Sequence, residues 1–189
     1  VMLWANRNGF FYVLDRSTGE FLLGKPFAKL DWADGLDPRG RPNRISERAP
    51  SAKGTLTYPG VQGATNWYAP SFSPVTGLFY ITAWDDYPGV YYTFDQEYEA
   101  GKWYAGGSVR AELPSIRRLE PRVLAPEAGY GAVRALDPAT GNRKWEFRMT
   151  DVSDSGLLTT ATNVLFSGNR EGHFFALDAR DGKLLWTRY

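Results

Sequence analysis

The chain has 189 residues, with 22 Lys and Arg against 21 Asp and Glu, so its formal net charge is only +1. This near balance gives no sign of a nucleic-acid-binding protein, and the chain contains no run of 18 apolar residues that could form a transmembrane segment. The 43% hydrophobic content is sufficient for a core, and the absence of cysteine excludes disulfide and thiolate sites from this segment.

The predicted elements begin with a strand at Val1–Trp4, followed by a hairpin within Gly9–Leu23. The residues of this hairpin follow the pattern Val13-x-Asp15-x3-Gly19-x3-Leu23. Asp and Gly at this spacing favour a tight turn, because the carboxylate accepts backbone N–H groups and glycine tolerates positive φ. The same spacing recurs near the C-terminus, where a Trp replaces Leu23.

Residues 24–63 are polar, rich in Pro and Gly, and locally basic. Between residues 39 and 53 this stretch carries Arg39, Arg41, Arg44, Arg48 and Lys53. A structureless connection of this length is uncommon in a compact domain, and long loops often line sites.

Ser73–Ala83 is predicted to form a turn followed by a strand. Aromatic residues then crowd the stretch from Trp84 to Tyr104. Two interpretations remain open: a strand pair with a packed aromatic face, or a lid at the rim of a ligand opening. Residues 110–122 are basic and are interpreted as a solvated excursion, so residues 84–122 interrupt the repeated pattern.

Two full copies of the pattern lie 41 residues apart, Ala135-x-Asp137-x3-Gly141-x3-Trp145 and Ala176-x-Asp178-x3-Gly182-x3-Trp186. Each copy predicts a hairpin that the Trp closes. The indole needs a small neighbour, expected to be Ala135 or Ala176, and a carbonyl acceptor, expected on the adjacent hairpin. Residues 164–168 and 172–178 are predicted to be two further strands.

A hairpin repeat at this interval is typical of a β-propeller. At roughly 40 to 45 residues per blade, residues 1–189 are predicted to be a single all-β domain. The predicted fold is a partial β-propeller of about four four-stranded antiparallel blades with tryptophan-docking motifs. Because the sequence opens within a strand and ends three residues after Trp186, both ends are expected to continue into a longer protein.

Three blocks carry a resemblance to a known family: residues 5–16 with Asn6-Arg7-Asn8-Gly9, residues 63–80 with Thr65-Asn66-Trp67, and residues 154–161. Over nearly its whole length, the chain resembles the C-terminal half of the pyrroloquinoline quinone (PQQ) dependent alcohol dehydrogenases, which are eight-bladed quinoprotein propellers. The docking motif alone is shared with non-catalytic propellers. The Asn-Arg-Asn-Gly and Thr-Asn-Trp blocks point to the enzymes.

The resemblance implies that Arg7 hydrogen-bonds the quinone oxygens of PQQ, where a fixed cation stabilises negative charge, and that Asn66 contacts the same edge. Trp67 is expected to pack under the site, with contact to cofactor or substrate as the alternative. Asp154 aligns where methanol-oxidising relatives have a Trp near the cofactor, and it is interpreted as a loop aspartate. His173, the only histidine, is interpreted as structural.

The implied reaction of the parent protein is oxidation of a small alcohol to an aldehyde in the periplasm, with electrons passing through PQQ to a c-type cytochrome. The Ca²⁺ or lanthanide of the family, its ligands and the catalytic Asp are expected outside this segment. We therefore predict no catalytic or metal-binding residue here and no turnover by the isolated chain. The remaining blades or a second copy are expected as partners. The alternative is a non-catalytic propeller scaffold that binds protein partners in the cell envelope.

Overall fold

A computed structural model describes residues 1–93, 95–104, 110–112 and 129–189, with the backbone alone for residues 110–112. Apart from one 3₁₀ turn at Ser46–Arg48, the regular elements in these ranges are β-strands, so the predicted all-β class is confirmed. In chain order the strands are β1 Met2–Ala5, β2 Phe10–Leu14, β3 Phe21–Pro26, β4 Ala33–Leu36, β5 Pro42–Arg44, β6 Thr55–Thr57, β7 Ser71–Ser73, β8 Leu78–Asp85, β9 Gly89–Tyr92, β10 Arg110–Glu112, β11 Tyr130–Leu136, β12 Arg143–Met149, β13 Leu158–Thr159, β14 Val164–Gly168, β15 Phe174–Asp178 and β16 Leu184–Arg188.

The strands pair into antiparallel sheets in which chain neighbours are mostly sheet neighbours. Two sheets have four strands, in the orders β7-β8-β11-β12 and β13-β14-β15-β16. The described residues also form the sheets β1-β2-β3, β6-β9-β10 and β4-β5. These pairings confirm the predicted hairpins and the predicted four-stranded antiparallel sheets, because tight turns join β11 to β12 and β15 to β16.

Successive antiparallel strands reverse direction, so the connections of each sheet leave from alternating ends. The turns of the repeated pattern, residues 137–141 and 178–182, lie at one end. Residues 150–157, between β12 and β13, and residues 169–173, between β14 and β15, lie at the opposite end. We call this opposite end the loop end.

The core lies between neighbouring sheets, in two main clusters of fully buried apolar side chains. One cluster joins the two four-stranded sheets and includes Tyr80, Leu165 and Phe175. The other joins the β1-β2-β3 sheet to β8 and includes Phe11 and Ile81. The strands of these two clusters thus bury side chains against the neighbouring sheet, and removal of this apolar surface from water is the main stabilising contribution.

The repeated Trp connects neighbouring sheets. The Trp145 indole N–H donates to the carbonyl of Ala179, 3.1 Å away on the following hairpin, as predicted. Gly182 is a second small neighbour that the sequence did not indicate, since a Cβ built on Gly182 would lie 2.6 Å from the indole ring. Ala135, the expected small neighbour, is the cross-strand partner of Trp145 and lies in the same buried cluster.

The incomplete first copy packs in the same way. A Cβ built on Gly141 would lie 3.1 Å from Leu23, and Lys25 Nζ donates to Asn142 Oδ1 at 2.7 Å. A leucine therefore takes the position of the Trp between the first and second copies. In the last copy, Trp186 remains 44% exposed.

A buried charge network crosses the β7-β8-β11-β12 sheet. The fully buried Arg134 on β11 donates through Nη2 to Asp85 Oδ2 (2.5 Å) and through Nε to Glu146 Oε2 (2.7 Å). Burial opposes the ionisation of Asp85, but the charge of Arg134 and two backbone N–H donors hold the pKa of Asp85 below its ordinary value. Each of the three charged groups therefore has an oppositely charged partner within the sheet.

The two irregular stretches contain more structure than their sequences suggest. Residues 24–63 include β4, β5, β6 and the 3₁₀ turn, and they line the cavity described below. The aromatic run does not form one packed face, since Trp84 and Tyr87 are buried while Tyr98 and Trp103 are exposed. Residue 94, residues 105–109 and residues 113–122 lie outside the described residues. No helix in the described ranges is long and apolar enough to span a membrane.

Candidate functional site

The turn between β1 and β2 is held by two asparagine side chains. Asn6 Oδ1 accepts the backbone N–H of Asn8 at 3.0 Å, and Asn8 Oδ1 accepts that of Phe10 at 2.9 Å. Gly9 has a φ of 96°, which an L side chain rarely adopts. Asn6, Asn8 and Gly9 of the Asn-Arg-Asn-Gly block therefore stabilise the local turn, and the turn places Arg7 at its tip.

The Arg7 turn is tied to the segment that carries Asn66. The Arg7 carbonyl accepts the Ala64 N–H at 2.9 Å, and the Arg7 guanidinium donates to the Val61 carbonyl. A Cβ on Gly63 would lie 2.7 Å from the Arg7 Cβ, so glycine permits this close approach. The structure thus brings the two predicted site segments together.

A cavity of about 820 Å³ opens beside this turn. Three arginines line it, Arg7, Arg44 and Arg48, and the backbone and side chains of Asn6 and Asn8 add further polar groups. Its apolar walls include Trp32, Tyr91 and Pro59. Within the described residues no Asp or Glu lines the cavity, so its donor set suits an anionic organic molecule.

Asn66 and Trp67 follow the cavity-lining residue Gly63 closely in the sequence but do not themselves line the cavity. The Asn66 amide is used within its own loop: Nδ2 donates to the Gln62 carbonyl at 3.0 Å, and Oδ1 accepts the Trp67 N–H at 2.9 Å. Trp67 is 84% exposed in this structure. Its ring leans on Tyr68, with 5.1 Å between ring centroids.

A polar cluster at the loop end was missed by the sequence interpretation. Tyr68 donates its hydroxyl to Asp154 Oδ1 at 2.5 Å, and Arg170 Nε donates to Asp154 Oδ2 at 2.5 Å. Burial and the bond to Asp154 raise the pKa of Tyr68. The Arg170 guanidinium lies over the Trp84 ring, 5.2 Å from its centroid. Asp154 lies in the loop between β12 and β13, in agreement with its interpretation as a loop aspartate, and it links the Tyr68 segment to the turn between β14 and β15.

One sequence signal could have found Arg170. The turn between β14 and β15 reads Asn169-Arg170-Glu171-Gly172, which matches the Asn-Arg-x-Gly spacing of the Arg7 turn. Asn169 also fixes its turn, since Oδ1 accepts the His173 N–H at 3.1 Å. Among the described residues there is no group of three or more His, Asp or Glu side chains that could hold a metal ion.

Comparisons with known proteins identify relatives of this chain. A family model described as outer membrane protein assembly factor BamB matches residues 129–189. The chain is 35% identical over 189 residues to the quinohemoprotein alcohol dehydrogenase of Comamonas testosteroni, covering 98% of this chain and 26% of that protein. It is 34% identical over 192 residues to the 1-butanol dehydrogenase (cytochrome c) of Thauera butanivorans, covering 99% of this chain and 27% of that protein.

The fold agrees with these sequence matches. A solved structure of a europium-containing methanol dehydrogenase superposes with a TM-score of 0.81 at 31% identity, covering 98% of this chain and 31% of that one. By sequence and by fold, the chain is therefore a homologue of the PQQ-dependent alcohol dehydrogenases and spans a little over a quarter of the length of the curated relatives it matches.

Proposed function

We propose that this chain is a segment of a PQQ-dependent alcohol dehydrogenase and supplies one side of the cofactor pocket through Arg7, Asn66 and Trp67. The observation that carries the proposal is the position of the Arg7 turn. Asparagine side chains fix this turn, and it borders a cavity that arginines line and to which no Asp or Glu of the described residues contributes. PQQ is an anionic, flat molecule, so this donor set fits it.

Bound PQQ would supply the two-electron oxidation of an alcohol to an aldehyde. One guanidinium nitrogen of Arg7, Nη2, donates to the Val61 carbonyl, and the other guanidinium nitrogens have no hydrogen-bond partner among the described residues. They can donate to a ligand oxygen and stabilise negative charge on it. Asn66 Nδ2 has a second N–H beyond the one given to Gln62. The exposed Trp67 ring offers a flat surface against which a planar ligand can stack.

The wider assignments follow the relatives. We propose a Ca²⁺ or lanthanide held by ligands outside this segment, supported by the europium-containing methanol dehydrogenase. A c-type cytochrome acceptor is supported by the relative named 1-butanol dehydrogenase (cytochrome c). We also propose a periplasmic location, a small alcohol as substrate, and tryptophan docking between further blades through the repeated pattern.

Titration of PQQ tests the proposal, with the cofactor's absorbance or the quenching of Trp fluorescence as readout. We expect Arg7→Ala to weaken binding about tenfold or more, because a charge-assisted hydrogen bond is lost. The matched control is Arg16→Ala, since Arg16 is exposed in the turn of the first repeat, away from the loop end. Equal affinities of wild type and Arg7→Ala would contradict the role of Arg7.

A second measurement concerns turnover. We expect the isolated chain to be silent in an assay with PQQ, Ca²⁺ or a lanthanide, ethanol and an artificial dye, because the metal ligands and the base are assigned elsewhere. Dye reduction above the protein-free rate would show that the 189 residues suffice and would overturn that assignment.

A second candidate function is a non-catalytic propeller scaffold that binds protein partners in the cell envelope. The match of residues 129–189 to the BamB family model favours it, as does the purely structural use of Trp145. Failure of both wild type and Arg7→Ala to bind PQQ would favour this candidate over the dehydrogenase segment.

A further inference from the structure

The charges that line the cavity beside the Arg7 turn are all positive among the described residues. Arg7, Arg44 and Arg48 contribute to its wall, and no carboxylate does. The chain as a whole carries 22 basic and 21 acidic residues. The positive wall is therefore a local arrangement and does not follow from the composition.

The three arginines differ in how far they are neutralised. Arg48 Nη1 forms an ion pair with Asp31 Oδ2 at 3.2 Å and donates to the Leu56 carbonyl at 3.3 Å. Arg7 donates to a neutral carbonyl. The Arg44 guanidinium forms no hydrogen bond or ion pair within the described residues. A guanidinium at a cavity wall without a counter-charge attracts anions and can bind a carboxylate with two parallel N–H donors.

Arg44 is held in place by the β4-β5 hairpin. It pairs with Ala33 in the strand register, and the next residue, Ile45, donates its N–H to the Trp32 carbonyl at 2.9 Å. The Trp32 indole in turn donates to the Asn8 carbonyl at 3.0 Å. The hairpin is thereby fixed to the Arg7 turn, so the position of Arg44 relative to that turn is defined.

The remaining walls indicate the body of the ligand. Trp32, Tyr91, Ile45 and Pro59 present flat or apolar surfaces to the cavity. Its volume of about 820 Å³ is far larger than an inorganic ion needs and lies in the range of pockets for small organic molecules. An aromatic acid matches both the walls and the charge.

We propose that Arg44, assisted by Arg48, is a carboxylate-binding subsite for an organic acid with a flat body. The binding of a carboxylate is inferred from the cavity alone. A role of this subsite in the dehydrogenase reaction rests on the function proposed above. In that case the carboxylate comes from one of two sources, PQQ itself or an alcohol substrate that carries an acid group.

Isothermal titration of the chain with 4-(hydroxymethyl)benzoate and its neutral amide, 4-(hydroxymethyl)benzamide, tests the subsite. We expect the acid to bind about tenfold or more tightly than the amide, because only the acid forms charge-assisted hydrogen bonds. Arg44→Gln should abolish this preference and leave amide binding unchanged. Arg44→Lys should retain part of the preference, since it keeps the charge and loses the fork of donors.

Arg16→Gln is the matched control, because it removes another exposed arginine, away from the loop end. Equal binding of acid and amide by the wild type would overturn the subsite, as would an equal loss of preference in Arg44→Gln and Arg16→Gln. Because Arg44 is exposed, the circular dichroism of its variants should match that of the wild type.

Repeating the acid titration with saturating PQQ distinguishes the two sources. Loss of acid binding assigns the subsite to a carboxylate of PQQ, whereas unchanged acid binding assigns it to the substrate. If the chain binds the acid more tightly than the amide but does not bind PQQ, the carboxylate subsite is supported and the proposed function is contradicted. PQQ binding without any acid preference would overturn the subsite alone.

Discussion

At the scale of single residues, the aspartates of the repeated pattern act through their turns. Asp15, Asp137 and Asp178 each accept the N–H of the residue two positions ahead, at 2.7, 2.9 and 2.9 Å. A hydrogen bond from the Arg180 side chain and one from its backbone N–H lower the pKa of Asp178 to about 2. The folded state therefore favours the ionised carboxylate.

This predicts a loss of stability in acid. The pKa of Asp178 is lower in the folded chain than its ordinary value of 3.8, so its contribution is fully present above about pH 4 and disappears as the pH falls toward about 2. The thermal midpoint of Asp178→Asn should fall less steeply over this range than that of the wild type. Asp34→Asn, at an exposed position in β4, serves as control and should follow the wild type. Parallel curves for all three proteins would contradict the prediction.

The loss of Arg134 should destabilise the fold strongly. Arg134→Met leaves Asp85 and Glu146 as neighbouring charges without their buried partner. We expect a loss of about 3–5 kcal/mol in the free energy of unfolding, measured with denaturant, because removing one partner of a buried network leaves uncompensated charge.

The control for this substitution is Arg143→Met, which removes an exposed partner of the same Glu146. It should cost less than about 1 kcal/mol, as surface ion pairs do. A loss of similar size in the two variants would mean that burial of the Arg134 network does not set its contribution.

At the scale of elements, the contact between Trp145 and Gly182 can be isolated with two glycines. Gly182 and Gly19 occupy the same position of the repeat, with φ values of 76° and 75°. An alanine at either position incurs the same backbone strain of about 1 kcal/mol. At Gly182 the added Cβ would also meet the Trp145 ring, whereas at Gly19 it would meet nothing within 4 Å.

Gly182→Ala should therefore lower the free energy of unfolding by about 1–3 kcal/mol more than Gly19→Ala does, because it also overpacks the interface between sheets. Urea unfolding followed by Trp fluorescence measures the difference. Equal losses would indicate that the indole moves aside and that this contact contributes little.

The hairpins could be predicted from the sequence because their determinants are local. Asp137, Gly141 and Trp145 specify a turn and the strand after it within a few residues, and the structure has β11 and β12 there. The family resemblance was also visible in short blocks. The contact of Tyr68 with Asp154 joins residues 86 positions apart, and no local pattern encodes such a pair.

At the scale of the whole molecule, structural and candidate functional residues separate along the sheets. Trp145, Gly182 and the other repeat positions lie at or near the end of the sheets opposite the loop end, which we call the turn end, where they connect sheets. Arg7, Asp154 and the loops that line the cavity lie around the loop end. Substitutions at the turn end should therefore change stability with little effect on ligand binding, and those at the cavity should do the reverse.

The last strand predicts how isolated chains behave toward one another. All residues of β16, Leu184–Arg188, are exposed, and none of the glycines in the described ranges packs against the Trp186 ring. Near the other end of the chain, the space over Gly19 is open, although Gly141 and Gly182 in the same position are covered. An exposed apolar edge strand promotes association, and these two surfaces are complementary in a head-to-tail arrangement.

We therefore expect the isolated 189-residue chain to self-associate, with a sedimentation coefficient that rises with protein concentration. Trp186→Lys should shift the population toward monomer, because it places a charge where the indole would bury its ring. Trp103→Lys is the control, since Trp103 is also exposed but lies outside the repeat. A wild-type chain that sediments as a monomer at every concentration would contradict the prediction. So would equal effects of the two substitutions, because association would then depend on general hydrophobicity instead of the docking position.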